Sequence, residues 1–151
     1  MNDFIRRQVV SVIPINSEGK ILLQLRDDRP DIKNPNCWTT FGGGVEDGET
    51  PDEAIRRELL EEIELELPLK LWKVQGYPVE RNGQPFIVEN YIYVGRIDYC
   101  AFEIKLNEGQ ALGYFALEDL DKLKIGFNFE PLFREFFTAL AEGKLPLDST
   151  I

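Results

Sequence analysis

The sequence predicts an α+β fold, a mixed β-sheet covered by helices. Three observations point there. Short β-prone runs separated by turn signals fill the first 41 residues, a helix with strong start signals begins near residue 51, and strands return after Pro68 ahead of a phenylalanine-rich helix. The order strand–strand–strand–helix–strands–helix leaves a sheet that needs helices to cover its apolar faces.

Residues 8–15 read as a strand, Asn16-Ser17-Glu18-Gly19 as a turn and residues 20–25 as a second strand, together an opening hairpin. Residues 27–36, with Pro30 and Pro35, read as a loop, and residues 37–41 as a short aromatic strand. Gly42-Gly43-Gly44 is expected to break regular structure, and residues 45–50 to continue as a loop. Thr50 followed by Pro51 and Glu53 has the form of a capping box with proline at the first helical position. The helix should run over residues 51–63, burying Ile55, Leu59 and Ile63 at four-residue spacing. Strands over residues 71–79 and 86–95 flank Asn82-Gly83, a hairpin signal, and residues 95–106 are expected to stay extended. Residues 107–110 read as a loop, 111–117 as a short strand, 117–123 as a helical turn and 128–142 as a helix. In that last helix the phenylalanines are read as core and Gly143 as the residue just past the end.

The chain has 151 residues, read as one domain over 1–151. Lys and Arg number 17 against 27 Asp and Glu, a formal net charge of −10. That balance argues against a nucleic-acid polymer as partner, which calls for a basic stripe. It leaves room for a small phosphorylated ligand, because a divalent cation can bridge acidic protein to anionic substrate. There is no histidine, which excludes histidine triads, histidine bases and histidine metal ligands. Cys37 and Cys100 stand far apart, so no zinc site or disulfide framework is expected, and each is read as a reduced core or near-core residue. Residues 1–7 lack the apolar segment of a signal peptide, and no apolar run approaches the ~20 residues that span a bilayer. The expectation is a cytoplasmic protein that meets no membrane.

The chemistry-bearing stretch is residues 42–65. Helical spacing puts Glu61 and Glu62 about 60° and 40° to either side of Glu58, so three carboxylates share one face within a turn. Like charges so spaced repel. Such a triplet reads either as a solvated acidic face or as a site for a hard cation, and the glycine run before it, where backbone can approach a ligand, favours the second.

This stretch resembles the Nudix box. Gly43 opens the 23-residue pattern, Glu49 follows at the required spacing, then Arg57-Glu58-Leu59, Glu61-Glu62, and Leu65 closes it. One position departs: Glu64 stands where the family has glycine, which puts the end of the helix in question rather than the metal site. The resemblance implies a Nudix-type α/β/α sandwich with a mixed sheet. It also implies a pyrophosphohydrolase that uses Mg²⁺ or Mn²⁺. Water would attack phosphorus in a diphosphate linkage of a nucleoside triphosphate or nucleotide sugar. Glu58, Glu61 and Glu62 resemble the metal-binding carboxylates, with the Gly43 carbonyl a further ligand. Arg57 resembles the arginine that orients the glutamates, through an ion pair with Glu49. Glu61 is the first candidate base and Glu108, from a loop outside the box, the second. A homodimer is implied by the family alone. Arg26 and Arg29 are the candidates to meet phosphates. Trp38 and Phe41, with Tyr91 and Tyr93, are candidates to stack on a base, although sheet packing is the commoner role for each. The alternative to an enzyme is a catalytically silent Nudix-like domain that binds nucleotides or a partner.

Overall fold

The computed structural model describes residues 5–147. Part of the leading segment read for a signal sequence, residues 1–4, lies outside them. In chain order the strands are β1 (Ile5–Ile15), β2 (Ile21–Leu25), β3 (Trp38–Thr39) and β4 (Phe41–Gly44), then, after helix α1 (Pro51–Ile63), β5 (Leu69–Arg81), β6 (Gln84–Arg96) and β7 (Ala111–Phe115). Helix α2 (Glu130–Ala141) follows, and short 3₁₀ turns lie at Ala101–Glu103 and Leu117–Lys122. No helix among the described residues is long and apolar enough to cross a membrane.

Strand β1 is the spine of the sheet. It runs parallel to β6 from Ile5 opposite Phe86 to Ile15 opposite Arg96. It is antiparallel to β4, with Val9 opposite Gly44 and Val12 opposite Phe41. The opening hairpin joins at a single pair, Ile15 with Ile21, because β2 spends its length on β7 and β3 instead. Strand β5 pairs antiparallel with β6, and their turn places Asn82 at φ 52° and Gly83 at φ 75°, the left-handed pair that a tight hairpin needs.

Side-chain alternation assigns the two faces. Val10, Val12, Leu22 and Tyr93 point to the layer that holds Ala54, Ile55, Leu59 and Ile63 of α1. Ile13, Ile15, Ile21, Leu23, Ile92 and Val94 point to the layer that holds Leu132, Phe133, Phe136 and Phe137 of α2. Adjacent residues thus face opposite layers, and the sheet is a mixed, curled one with a helix on each side: the α+β sandwich expected.

Three expectations need correction. The glycines 42–44 do not break regular structure; they are the body of β4. A Cβ at Gly42 would sit 1.9 Å from the Val10 carbonyl oxygen, and one at Gly43 would sit 2.3 Å from Glu58 Oε1, so glycine here serves close approach within a strand. Residues 95–106 are not one extended run, since β6 ends at Arg96 and Ala101–Glu103 form a 3₁₀ turn. Cys37 is buried, but Cys100 is exposed, because it opens that turn and its N–H donates to Glu103 Oε1 at 2.8 Å.

Candidate active site

Helix α1 is set at its first turn. Glu53 N–H donates to Thr50 Oγ1 at 3.2 Å and Thr50 N–H to Glu53 Oε1 at 2.9 Å, the reciprocal capping box. With its apolar stripe pressed on β1 and β4, the neighbouring stripe of the helix brings Glu58 and Glu62 against the glycine strand. Glu62 is 1% exposed. Its Oε1 accepts from the Gly42 N–H at 3.2 Å and its Oε2 from Gln24 Nε2 at 2.9 Å. Gln24 Nε2 also donates to the Thr40 carbonyl at 3.2 Å, so a buried amide on β2 locks the carboxyl in place.

Burial, then the adjacent Glu58 carboxylate, pushes Glu62 up to about 9. Burial also raises Glu58, opposed by its hydrogen bond with Glu62 and by Arg57 beside it. Burial thus drives both acids toward the neutral form, and Arg57 opposes this at Glu58.

Arg57 is the hub of the outer layer. Its Nε and one terminal nitrogen donate to the two oxygens of Glu49 at 2.8 and 3.0 Å, and that nitrogen also reaches the Gly44 carbonyl at 3.0 Å. The other terminal nitrogen donates to Glu58 Oε1 at 3.1 Å and to both Glu61 oxygens at 3.3 Å. Glu49 is held below the usual carboxylate range by the Arg57 hydrogen bond first and the Glu46 N–H second. Glu49 thereby ties loop to helix, the fork geometry in which arginine pairs best.

In front of this array lies an open cavity of about 720 Å³. Gly42, Gly43, Glu62 and Gln24 line it, together with Ser11 and Asn90, joined by a 3.0 Å hydrogen bond from Ser11 Oγ to Asn90 Oδ1. Glu108 lines it from the 107–110 loop, and Arg26, Arg29, Tyr77, Phe127 and Phe129 line it elsewhere. Arg26 Nε donates to the Lys33 carbonyl at 2.9 Å while its guanidinium lies 5.0 Å from the centre of the Phe127 ring. Phe127 has φ 55° and is 41% exposed.

Of the residues singled out in the sequence, Gly43, Glu62, Glu108, Arg26 and Arg29 line this cavity. Glu58 lies behind Gly43, and Glu61 is half-exposed with both oxygens on Arg57. Arg57 and Glu49 stand outside as supports. Two substrate candidates are corrected. Phe41 is fully buried in the layer beneath α1, since alternation along β4 turns it inward. Trp38 packs edge-on against Phe115 at 4.7 Å on the α2 side of the sheet and does not line the cavity. Tyr93 is likewise buried, its hydroxyl donating to Asp52. Missed in the sequence were Ser11, Gln24 and Asn90, whose signal was a polar side chain inside an otherwise apolar strand. Phe127 and Phe129 were missed too: Phe127 lies just before the helix read over residues 128–142, and Phe129 was read as part of that helix's core face.

The donor set suits a hard divalent cation. Glu58 and Glu62 bring carboxyl oxygens together against Gly43 and Gly42, hard donors of the kind such an ion takes. Among the described residues, no group of three or more acidic or cysteine side chains is drawn together closely enough to hold a metal ion.

The family model described as the NUDIX domain matches residues 5–136. The chain is 35% identical over 95 residues to an uncharacterized Nudix hydrolase, all7351, of a Nostoc species, covering 61% of this chain and 54% of that protein. It is 40% identical over 58 residues to the nucleoside triphosphatase NudI of an Enterobacter species, covering 38% of this chain and 40% of that one. It thus spans about half or less of the length of these curated relatives. The crystal structure of the MutT protein from Methanosarcina mazei Go1 superposes with a TM-score of 0.68 at 20% identity, covering 95% of this chain and 98% of the other, a likeness of fold. A glycine strand laid against a helical glutamate array, within a matched segment that takes in nearly all the described elements, leaves one assignment: the chain belongs to the NUDIX domain family.

Proposed function

We propose that this protein is a Mg²⁺-dependent pyrophosphohydrolase that cleaves a diphosphate linkage in a nucleotide-type substrate. The observation that carries the reading is the Glu58–Glu62 pair, two carboxyls forced together under a glycine strand at the edge of a cavity sized for a nucleotide. Glu58, Glu61, Glu62 and the Gly43 carbonyl are the groups that would hold Mg²⁺ or Mn²⁺. When bound, the ion would polarise the phosphate oxygens, offset charge as the bond breaks and make water a better nucleophile.

The chain's own residues supply the rest. Arg57 and Glu49 hold the glutamates in place and touch no substrate. Arg26 and Arg29 offer guanidinium groups to the phosphates. Asp31 engages Arg29 through both oxygens, at 2.7 and 3.0 Å, so an entering phosphate competes with a carboxylate for it. The exposed Phe127 ring gives a planar group a surface on which to stack. Glu108 is the carboxylate best placed to take a proton from water, because Glu61 has both oxygens turned to Arg57 while Glu108 lines the cavity with its own oxygens free among the described residues.

The test is turnover of a panel of nucleoside triphosphates, nucleotide sugars and dinucleoside polyphosphates with Mg²⁺ or Mn²⁺, read as phosphate or pyrophosphate release. Wild-type turnover should fall at least ~100-fold in both Glu61→Gln and Glu108→Gln. Binding without turnover across the whole panel would instead leave a silent nucleotide-binding domain.

A further inference from the structure

Within the box-like pattern only Glu64 departs, standing where glycine is expected. It occupies the C-cap of α1 with φ 56° and ψ 36°, a left-handed conformation that strains a residue with a Cβ and not glycine. Its carboxylate also sits at the negative end of the helix dipole, an unfavourable place for that charge. Glycine would carry neither cost, so the contacts of the side chain have to offset both.

Those contacts are with the loop that bears Glu108. Glu64 Oε2 accepts from Asn107 Nδ2 at 3.0 Å and from Lys105 Nζ at 3.1 Å. Asn107 Nδ2 donates its other hydrogen to the Glu61 carbonyl at 2.9 Å, and the Asn107 backbone N–H donates to the Glu62 carbonyl at 2.8 Å. Asn107 therefore caps two carbonyls that the helix end leaves open, and Glu64 fixes the orientation of the amide that does so. At the far side of the loop, Gln110 N–H donates to the Leu25 carbonyl at 2.8 Å, and a Cβ on Gly109 would lie 2.7 Å from that same oxygen. Between the two anchors stands Glu108, lining the cavity.

We propose that Glu64 is a positioning residue: through Asn107 it clamps the 105–110 loop to the last turn of α1 and so fixes the Glu108 carboxylate relative to Glu58, Glu61 and Glu62. The inference rests on the hydrolase reading for its catalytic consequence, but the clamp itself can be measured without substrate.

Glu64→Gly restores a relaxed backbone and deletes the clamp. Its melting temperature should match or exceed wild type, while amide exchange at Asn107 and Gln110 rises roughly 10-fold. With a substrate from the panel, kcat should drop about 10-fold with KM within about twofold, the pattern of a misplaced group rather than lost binding. Glu64→Gln keeps an oxygen for the Asn107 amide and should hold exchange and kcat near wild type. Unchanged exchange in Glu64→Gly overturns the clamp, as does equal loosening in Glu64→Gln. Raised exchange with wild-type kcat overturns the positioning role. A wild-type protein that turns over nothing would sink the hydrolase reading, and exchange would still decide the clamp.

Discussion

At the scale of single residues, two side chains govern how the site responds to its surroundings. Glu62 is buried beside Glu58 with a folded-state value near 9, against 4.5 for a free glutamate. A group whose pKa is raised on folding stabilises the fold below its unfolded value, and that contribution is lost as pH climbs through the folded one. In chelator, therefore, the free energy of unfolding should fall between pH 5 and pH 8, by at most about 1.4 kcal/mol per pH unit for this one group. Glu62→Gln should flatten the slope and make the metal-free protein more stable at pH 8. Urea titrations at three pH values check this, and a level wild-type profile would contradict it. Arg57 presents the opposite case, a charge whose removal strands its partners. Arg57→Ala leaves Glu49 and Glu58, each with a side chain 14% exposed, without their main cation, and should cost about 2–3 kcal/mol. Arg134 pairs with Asp121 and Glu130 on the surface, where solvent screens the pairs, so Arg134→Ala should cost far less. Equal losses would mean that the Arg57 network is not special.

At the scale of elements, the glycine strand separates stability from chemistry at neighbouring positions. Gly42 has φ 152°, and its missing Cβ would collide with the backbone of Val10. Gly42→Ala should force β4 off β1 and destabilise by roughly 3 kcal/mol, the scale of an incompatible backbone substitution. The nearest atoms to a Cβ at Gly43 are those of the Glu58 carboxyl, a side chain rather than backbone. Gly43→Ala should thus keep most of the stability and lose activity through a displaced glutamate. A denaturation midpoint and a turnover number for each variant check the pair, and a Gly43→Ala protein less stable than Gly42→Ala would reverse the assignment. These elements also show what was legible in the sequence. The predicted α1 bounds coincide with those observed, Pro51–Ile63, because a capping box and a four-residue apolar stripe are local signals. The glycine strand was misread because glycine's permissiveness says nothing about whether it serves a turn or a close approach. Which approach it serves depends on Val10 and Glu58, distant in sequence. Phe41 was misplaced for the same reason: alternation identifies two faces but not which one is covered.

At the scale of the whole molecule, the cavity belongs to no single element. Its lining is drawn from β1, β2, β3, β4, α1, β5, β6 and the loops around residues 26–32, 107–109 and 127–129, so its outer wall was invisible to any window along the chain. Phe127 shows why. Its left-handed backbone is held by an N–H bond to Asn34 Oδ1 at 3.0 Å, and its ring is met by Arg26, both contributed by the loop that follows β2. An exposed aromatic ring in a conformation that a bulky side chain rarely adopts is maintained by its surroundings rather than by local preference. Phe127→Ala removes the stacking surface and one ring contact with Phe129 at 5.9 Å, while leaving the glutamates and the glycine strand untouched. Affinity for a nucleotide substrate should weaken about 10-fold, the scale of one lost stacking contact, while affinity for inorganic pyrophosphate with Mg²⁺ stays within about twofold. Calorimetric titration of the two ligands makes the comparison without turnover. If both affinities fall together, Phe127 acts by holding Arg26 toward phosphate; if neither falls, the planar part of the ligand lies elsewhere in the cavity.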